Sequence, residues 1–395
     1  MADVFLKLAK RQLLGDDDEE DEDEGESCPT NFDDLSQADP ITGSVTFHDL
    51  MIYISIPCMV ITLIVSGYLV LGQARNYREP RVQKHLIRII VTAPVFSVLC
   101  FIGVASYGAT HYVEALAEFY EVFTLHALFL LFIAYLVPTT NWETQVAFFS
   151  NPKYGGFKFF KKRYLFVMQV IPVKLATTLG YIITTGVECW MDRSSRRAST
   201  ILAIIDTLTL IIAIMGIFPF VLRNQAHIQK LDPQILSKLI SVKLIVVARV
   251  LLNLVLSILG WTDSMEATDT LSYNDLNVGL SVFITCILAM VTSLIMLPFY
   301  RPKQFQERPL VDFPGAETGY APRVAIDYDD EGNAQVGEQL IKPEVKPKAK
   351  GRRALLDVLN IIDVLRAVAR GVRLIGKKDG YTAPPEQELP EYRQH

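Results

Sequence analysis

The stretch from Gln73 to Ser106, QARNYREPRVQKHLIRIIVTAPVFSVLCFIGVAS, limits the fold more than any other part of the chain. Its first half sets Arg75, Arg78, Arg81, Lys84 and Arg88 against a single acid, Glu79. Its second half, from Ile89 onward, is uncharged and apolar, with Pro94 the only break. A basic loop between two long apolar runs marks a membrane boundary, because short Lys/Arg-rich loops resist translocation. The chain has 395 residues, half of them hydrophobic, and its apolar residues fall in unbroken blocks rather than alternating patterns. Each block is about 20 residues, the length needed to cross roughly 30 Å of hydrocarbon. Helices are the economical solution, since each must satisfy its own backbone in lipid; β-barrel strands are about half this length and alternate.

The expected fold is therefore all-α, a polytopic membrane protein with seven transmembrane helices over residues 50–300. The spans read as Leu50–Gly72, Ile89–Ser106, Glu118–Pro138, Tyr164–Thr185, Ala198–Leu222, about Ile240–Trp261 and Val278–Phe299. The loops after spans one, three and five hold fourteen Lys/Arg. The opposite side holds only Arg193, Arg196 and Arg197. That asymmetry predicts an N-terminus outside or lumenal and a C-terminus in the cytosol. RRAST at Arg196 resembles a basophilic kinase site, but this topology puts it on the outer side.

The flanks are polar. Residues 1–49 read as an acidic, disordered outer tail, with ten acids between Asp16 and Glu26 inside a net charge of -5. Its start, MADVFLKLAKRQLLGDDDEE, lacks the apolar core of a signal peptide. Residues 301–351 read as a disordered cytosolic linker, 352–378 as a basic amphipathic helix and 379–395 as a disordered end. Along 352–378, Leu355, Val358, Ile362, Leu365, Ala369 and Val372 recur at helical spacing. Asn360, Asp363, Arg370 and Arg373 lie largely opposite. Two surfaces could take this helix, an anionic leaflet or the cytosolic ends of the bundle. The basic residues flank apolar spans and build no folded basic face, so no nucleic-acid partner is expected. Of the five cysteines, Cys58, Cys100 and Cys286 fall inside spans as small apolar residues. Cys28 and Cys189 share the outer side, where the topology permits a disulfide.

Ionisable groups inside lipid are the candidates for function, because each costs about 2.5–3.5 kcal/mol to insert and is normally turned inward to a partner. Glu118 and Glu121 share one face of span three, with His126 deeper. Lys174 lies mid-span four, Asp206 in the outer half of span five, Arg249 and Asn253 one turn apart in span six. Acids and bases are balanced enough to pair, for instance Lys174 with Asp206. Two readings stand: these residues line a polar cavity for an amphipathic, anionic solute, or they are structural ion pairs that fix helix packing. Pro57, Pro94, Pro172 and Pro219 interrupt spans and permit bending. Enzyme motifs are missing: no metal-spaced His or Cys pairs, no G-x-S-x-G and no Gly-rich nucleotide loop. No catalytic residue, metal or cofactor is expected. Span three ends LVPTTNW and span seven MLPFYRP, which disfavours a rhodopsin-like receptor.

At NYREPRVQKHLIRIIVTAPVFSV the chain resembles the family of the organic solute transporter alpha subunit and the Lazarus-type vacuolar membrane proteins. The match rests on Asn76, Tyr77, Pro80, Gln83, Ile87, Arg88, Ile89 and Pro94, then on Tyr120, Glu121 and Phe123 in FYEVFTLHALFLLFIAYL. Gln169, Lys174 and Lys243 resemble looser family positions, and the similarity runs from about residue 50 to 300. Leu251 and Leu252 stand where the family has Trp-Gln, with Arg249 at a small-residue position, and the animal subunits' cysteine cluster is missing. The resemblance implies seven helices, facilitative transport of steroid-like or other organic anions, and at times a small single-span membrane subunit. Its Lazarus-type branch implies an endomembrane or vacuolar location. That branch also suggests a rival role, a scaffold whose tail helix recruits a cytosolic autophagy or trafficking factor.

Overall fold

Among the described residues of the computed structural model, six helices are long and apolar enough to cross a membrane. The structure describes residues 39–41, 43–77, 79–137, 142–191, 196–231, 270–272, 274–301, 321–328, 334–341 and 351–376, with scattered positions between 234 and 255. The expected sixth span, 240–261, lies largely outside the described residues, as do both chain ends and the Cys28 position.

Helix α1, Phe47–Arg75, starts on a reciprocal cap. Thr46 Oγ1 accepts from the Asp49 backbone, and the Asp49 carboxylate accepts from the Thr46 N–H. It then runs 29 residues unbroken through Pro57. The basic stretch after it is not the expected loop. Pro80 opens α2, Pro80–Ile90, and α3, Thr92–Ala105, continues the same span after a break at Val91. The break has a local cause, since Pro94 has no N–H for the preceding turn. A 3₁₀ turn at Tyr107–Ala109 leads into α4, Thr110–Leu136, which starts eight residues before the expected span three.

The loop expected after span three, residues 139–163, also folds. It gives α5, Trp142–Ser150, and α6, Gly156–Met168, and α7, Val170–Met191, continues α6 past a break at Gln169 beside Pro172. Helix α8, Arg196–Leu231, passes through Pro219. A π turn at Asp275–Gly279 precedes α9, Leu280–Phe299. Within the expected linker, β1, Ala321–Tyr328, pairs antiparallel with β2, Ala334–Ile341, from Ala321 opposite Ile341 to Tyr328 opposite Ala334. Every membrane-length element is helical.

Burial orders the helices. The apolar windows of α2–α3 and α4 are 61% and 67% buried, against 28% for α1 and 17% for α8. The span formed by α2 and α3 is therefore central; it packs on α1, α4 and α9, and α4 in turn bridges to α7 and α8. Exposed Ile54, Val60, Ile61, Ile64 and Tyr68 on α1 and Met215, Phe218 and Leu222 on α8 are the flanks suited to lipid. Gly216 lets α8 approach α6, where an added Cβ would fall 2.9 Å from Val167.

Polar networks pin both ends of this apolar body. At the basic end, Gln73 Nε2 donates to the Tyr300 carbonyl (2.9 Å), and Gln83 Nε2 donates to Gln73 Oε1 (3.0 Å) and the Asn76 carbonyl (2.9 Å). Gln83 Oε1 accepts from the Glu79 N–H at 2.8 Å. At the opposite end, His48 Nε2 lies 2.7 Å from the Val104 carbonyl and Tyr107 donates to Asp275 Oδ1 at 2.6 Å. Gln83→Leu leaves several buried partners unpaired at once, each lost bond worth about 1–3 kcal/mol. The expected result is a clear drop in the melting temperature of the detergent-purified protein, with no rescue by Gln83→Glu, which turns a buried carboxylate oxygen toward the Gln73 and Asn76 oxygens.

Candidate functional site

The charged residues of three helices meet inside the bundle. Lys174 on α7 is nearly buried, and its Nζ lies 2.5 Å from Asp206 Oδ2 on α8 and 2.9 Å from Glu118 Oε2 on α4. Asp206 is held a second time by the Thr177 hydroxyl. The expected pairing of Lys174 with Asp206 is thus present, with Glu118 as a third member. Because α4 begins at Thr110, Glu118 sits about 12 Å into its helix rather than at the span's end. That extra depth lets it reach a lysine near mid-span.

The two carboxylates are not equivalent. The Asp206 side chain is 14% exposed and doubly held, whereas that of Glu118 is 43% exposed. One base, Lys174, is shared by two carboxyl groups. Glu118 is the more exposed of the two.

A stripe that sequence reasoning missed extends the cluster. Lys174, Thr177, Thr178 and Tyr181 recur at spacings of three and four, which places them on one face of α7. Thr177 and Thr178 are buried, and the Thr178 hydroxyl has no hydrogen-bond partner among the described residues. Helices α4 and α8 pack on α7, so the stripe runs from Lys174 toward the end of the bundle opposite the basic one. The signal was available as i, i+3, i+4, i+7 spacing, but threonine is so ordinary in membrane helices that it draws no attention.

The remaining candidates separate. Glu121 is half-buried on α4. His126 is buried, neither ring nitrogen has a hydrogen-bond partner among the described residues, and it lies near Arg88 and His85 of the central span. Arg249 and Asn253 lie outside the described residues.

The tail forms two helices rather than one, α10, Gly351–Leu359, and α11, Ile361–Ile375, parted at Asn360, whose side chain caps α11 through the Ile362 N–H. Arg88, from the basic motif, is 1% exposed and reaches this break. Its guanidinium donates to the carbonyls of Val358 (3.0 Å) and Asp357 (3.2 Å), acceptors left open where α10 ends, and to that of Asn360 (3.1 Å), which also accepts from the Asp363 N–H at 3.3 Å. Lys84 pairs with Asp363 at 2.8 Å, and Tyr164 donates to the Ala367 carbonyl at 2.9 Å. Tyr77 donates to Asp357 at 3.2 Å; burial, then the carboxylate, raise its pKa above the ordinary phenol value.

Of the two surfaces open to the tail helix, the end of the bundle is therefore occupied, but by a different face from the one the spacing suggested. Ala354, Val364, Ala367 and Leu374 are buried, and Gly371 lies against Met168 and Tyr164. Leu355, Ile362, Leu365 and Val372 are 42–63% exposed. Val358 is partly buried against Ala74, Tyr77 and Ile87, Arg370 stands 5.6 Å over the Trp142 ring, and Arg373 is exposed. Small residues gave the docking face too little hydrophobic weight to register as a stripe.

A helical membrane body with a charge cluster inside it defines a multi-pass integral membrane protein with transporter-like architecture. The chain belongs to the family described as organic solute transporter Ostalpha, matched over residues 51–305. It is 38% identical to Vacuole membrane protein HFL1 of Saccharomyces cerevisiae over 77 residues, 18% of each chain. It is 21% identical over 254 residues to a Transmembrane protein 184 homolog of Dictyostelium discoideum, covering 60% of this chain and 49% of that one. A third relative, Vacuole membrane protein hfl11 of Schizosaccharomyces pombe, is 30% identical over 76 residues, 19% of this chain and 18% of that one. The chain thus spans about half the length of the Dictyostelium relative and under a fifth of the yeast ones. No solved structure matches.

Replacing Lys174 by Met strands two carboxylates, and breaking a buried pair costs about 3–5 kcal/mol. Thermal unfolding in detergent is expected to show a large loss that the triple change Lys174→Met, Glu118→Gln, Asp206→Asn largely restores. Arg88→Met removes three charge-assisted bonds, each worth about 1.5–3 kcal/mol. The bundle is expected to survive while α10 and α11 become sensitive to limited proteolysis.

Proposed function

We propose that this protein is a facilitative transporter, or a transporter subunit, for amphipathic organic solutes such as steroid-like anions. The observation that carries the reading is the Lys174 cluster continued by the polar stripe of α7. Together they give a charged group in the apolar interior and a line of hydroxyls by which a solute head reaches it. An anionic head competes with Glu118 for Lys174, while Asp206, fixed by Thr177, stays in place. Release lets Glu118 return, so the lysine is never left without a counter-charge. The exchange needs no energy source, in keeping with a chain that has no nucleotide loop.

The positive-inside asymmetry supports the N-terminus outside or lumenal and the tail in the cytosol. The two yeast relatives, each named a vacuole membrane protein, support a vacuolar membrane. A small single-span membrane subunit would be a family trait, tested by co-purification. A second reading, a scaffold recruiting an autophagy or trafficking factor through the tail, is favoured by exposed Leu355, Ile362, Leu365 and Val372. Deletion of 352–378 separates the two: loss of partner pull-down with intact uptake favours the transporter, and the reverse dependence favours the scaffold.

The test is uptake of sterol-like anions into vesicles carrying the purified protein, with and without a co-purifying subunit. Glu118→Gln removes the competing charge and is expected to tighten apparent affinity for an anionic solute about tenfold, equivalent to about 1.4 kcal/mol. The same change leaves a neutral analogue unaffected. Unchanged anion uptake in the stability-restored Lys174→Met triple variant removes the proposed role.

A further inference from the structure

We propose that α11 seats its exposed apolar stripe in the adjoining lipid leaflet and holds anionic phospholipid headgroups with the basic residues beside it. The helix carries three faces. Val364, Ala367, Gly371 and Leu374 face the bundle. Ile362, Leu365, Ala369 and Val372 form a second, exposed face. Arg366 and Arg373 are exposed along one flank of that face. A helix packed only on protein needs one apolar face, and one that lies free on a bilayer needs one as well. Two apolar faces and a basic edge suit a helix set in the corner where protein, acyl chains and headgroups meet.

Depth argues the same way. Arg88 lies seventeen residues before Ala105 along the central span, about 26 Å by helical rise, close to the roughly 30 Å thickness of hydrocarbon. The carbonyls that Arg88 holds at Asp357, Val358 and Asn360 therefore lie near the edge of the acyl region. Helix α11 leaves that point already at interfacial depth, and Lys161 on α6 donates to its last carbonyl, Ile375, at 3.3 Å. Lys158 and Lys162, one turn apart on α6, are exposed on this adjoining helix. An apolar stripe left in water at that level would be an unusual exposed patch; against acyl chains it is matched. Basic residues at its edge complement the negative surface of an anionic leaflet. The proposal rests on the clasp at the basic end and not on which solute the bundle carries.

The experiment uses the full chain in nanodiscs, whose two leaflets are alike and both accessible, so neither orientation nor transport enters the result. An environment-sensitive fluorophore is placed at Leu365→Cys or Val372→Cys, with Lys153→Cys as an exposed control and unaltered protein to measure labelling of native cysteines. In phosphatidylcholine with phosphatidylserine, the two stripe labels are expected to shift to the blue and to be quenched by brominated acyl chains, while the Lys153 label is quenched by aqueous iodide. Arg366→Gln with Arg373→Gln is expected to lower the ratio of seated to free helix about thirtyfold when phosphatidylserine is present, and added salt to act in the same direction. Protease protection of 352–376 reports separately that the clasp is intact in that variant. Iodide quenching of the stripe labels equal to that of the control in every lipid overturns the proposal. Shielding that arises only after a cytosolic protein fraction is added also overturns it, in favour of a protein partner.

Discussion

Hydrocarbon offers no hydrogen bonds, and the arrangement of polar groups in this protein follows from that constraint. Backbone groups are closed within helices. Many of the remaining side chains are collected at a few places where they bond one another, while His126 and Thr178 are buried with no hydrogen-bond partner at the ring nitrogens or the hydroxyl among the described residues. Gln73, Gln83 and the Tyr300 carbonyl lock the ends of three helices at the basic end; Tyr107 and Asp275 join elements at the other. Between them the core around α4 is dry and aromatic, with Phe149 stacked on Phe160 and Phe129 edge-on to Phe220. In such surroundings Lys174 can stay only because two carboxylates come with it.

The same constraint links the tail to the bundle. A fully buried guanidinium needs acceptors, and the break at Asn360 supplies them: the Asp357 and Val358 carbonyls at the end of α10, and the Asn360 carbonyl shared with the Asp363 N–H. A residue of the basic stretch that marks the membrane boundary is thereby also the anchor of a segment some 270 positions later. Order at the tail and packing of the central span are coupled through Arg88, which in addition faces the Phe123 ring at 5.6 Å.

Much of this was legible beforehand because membrane insertion writes itself into local sequence. Apolar length gave the spans, and the scarcity of charge inside them made Lys174, Asp206 and Glu118 conspicuous. Boundaries were less legible. Residues 80–88 and 142–163 are rich in charge and aromatic groups, which reads as loop, yet most of them fold into helices that extend or brace the spans. Polar residues beside the boundary can be helical when neighbouring elements take up their hydrogen bonds, and local composition cannot announce neighbours. The Thr177–Tyr181 stripe was missed for a related reason: its residues are individually unremarkable.

The tail shows where local pattern stops. Its helical character and its apolar stripe were determined by the sequence alone, since both depend on spacing within one element. Which stripe would be buried was decided by the fold: Ala367 and Gly371 are too small to dominate a pattern, but they allow the helix to approach Tyr164 and Met168 closely. Likewise the sequence determined that charged groups would have to meet inside an apolar bundle. Only the tertiary structure chose Glu118 as the third member and left it the exposed one, because that depends on the depth at which α4 begins and on how three separate helices come together.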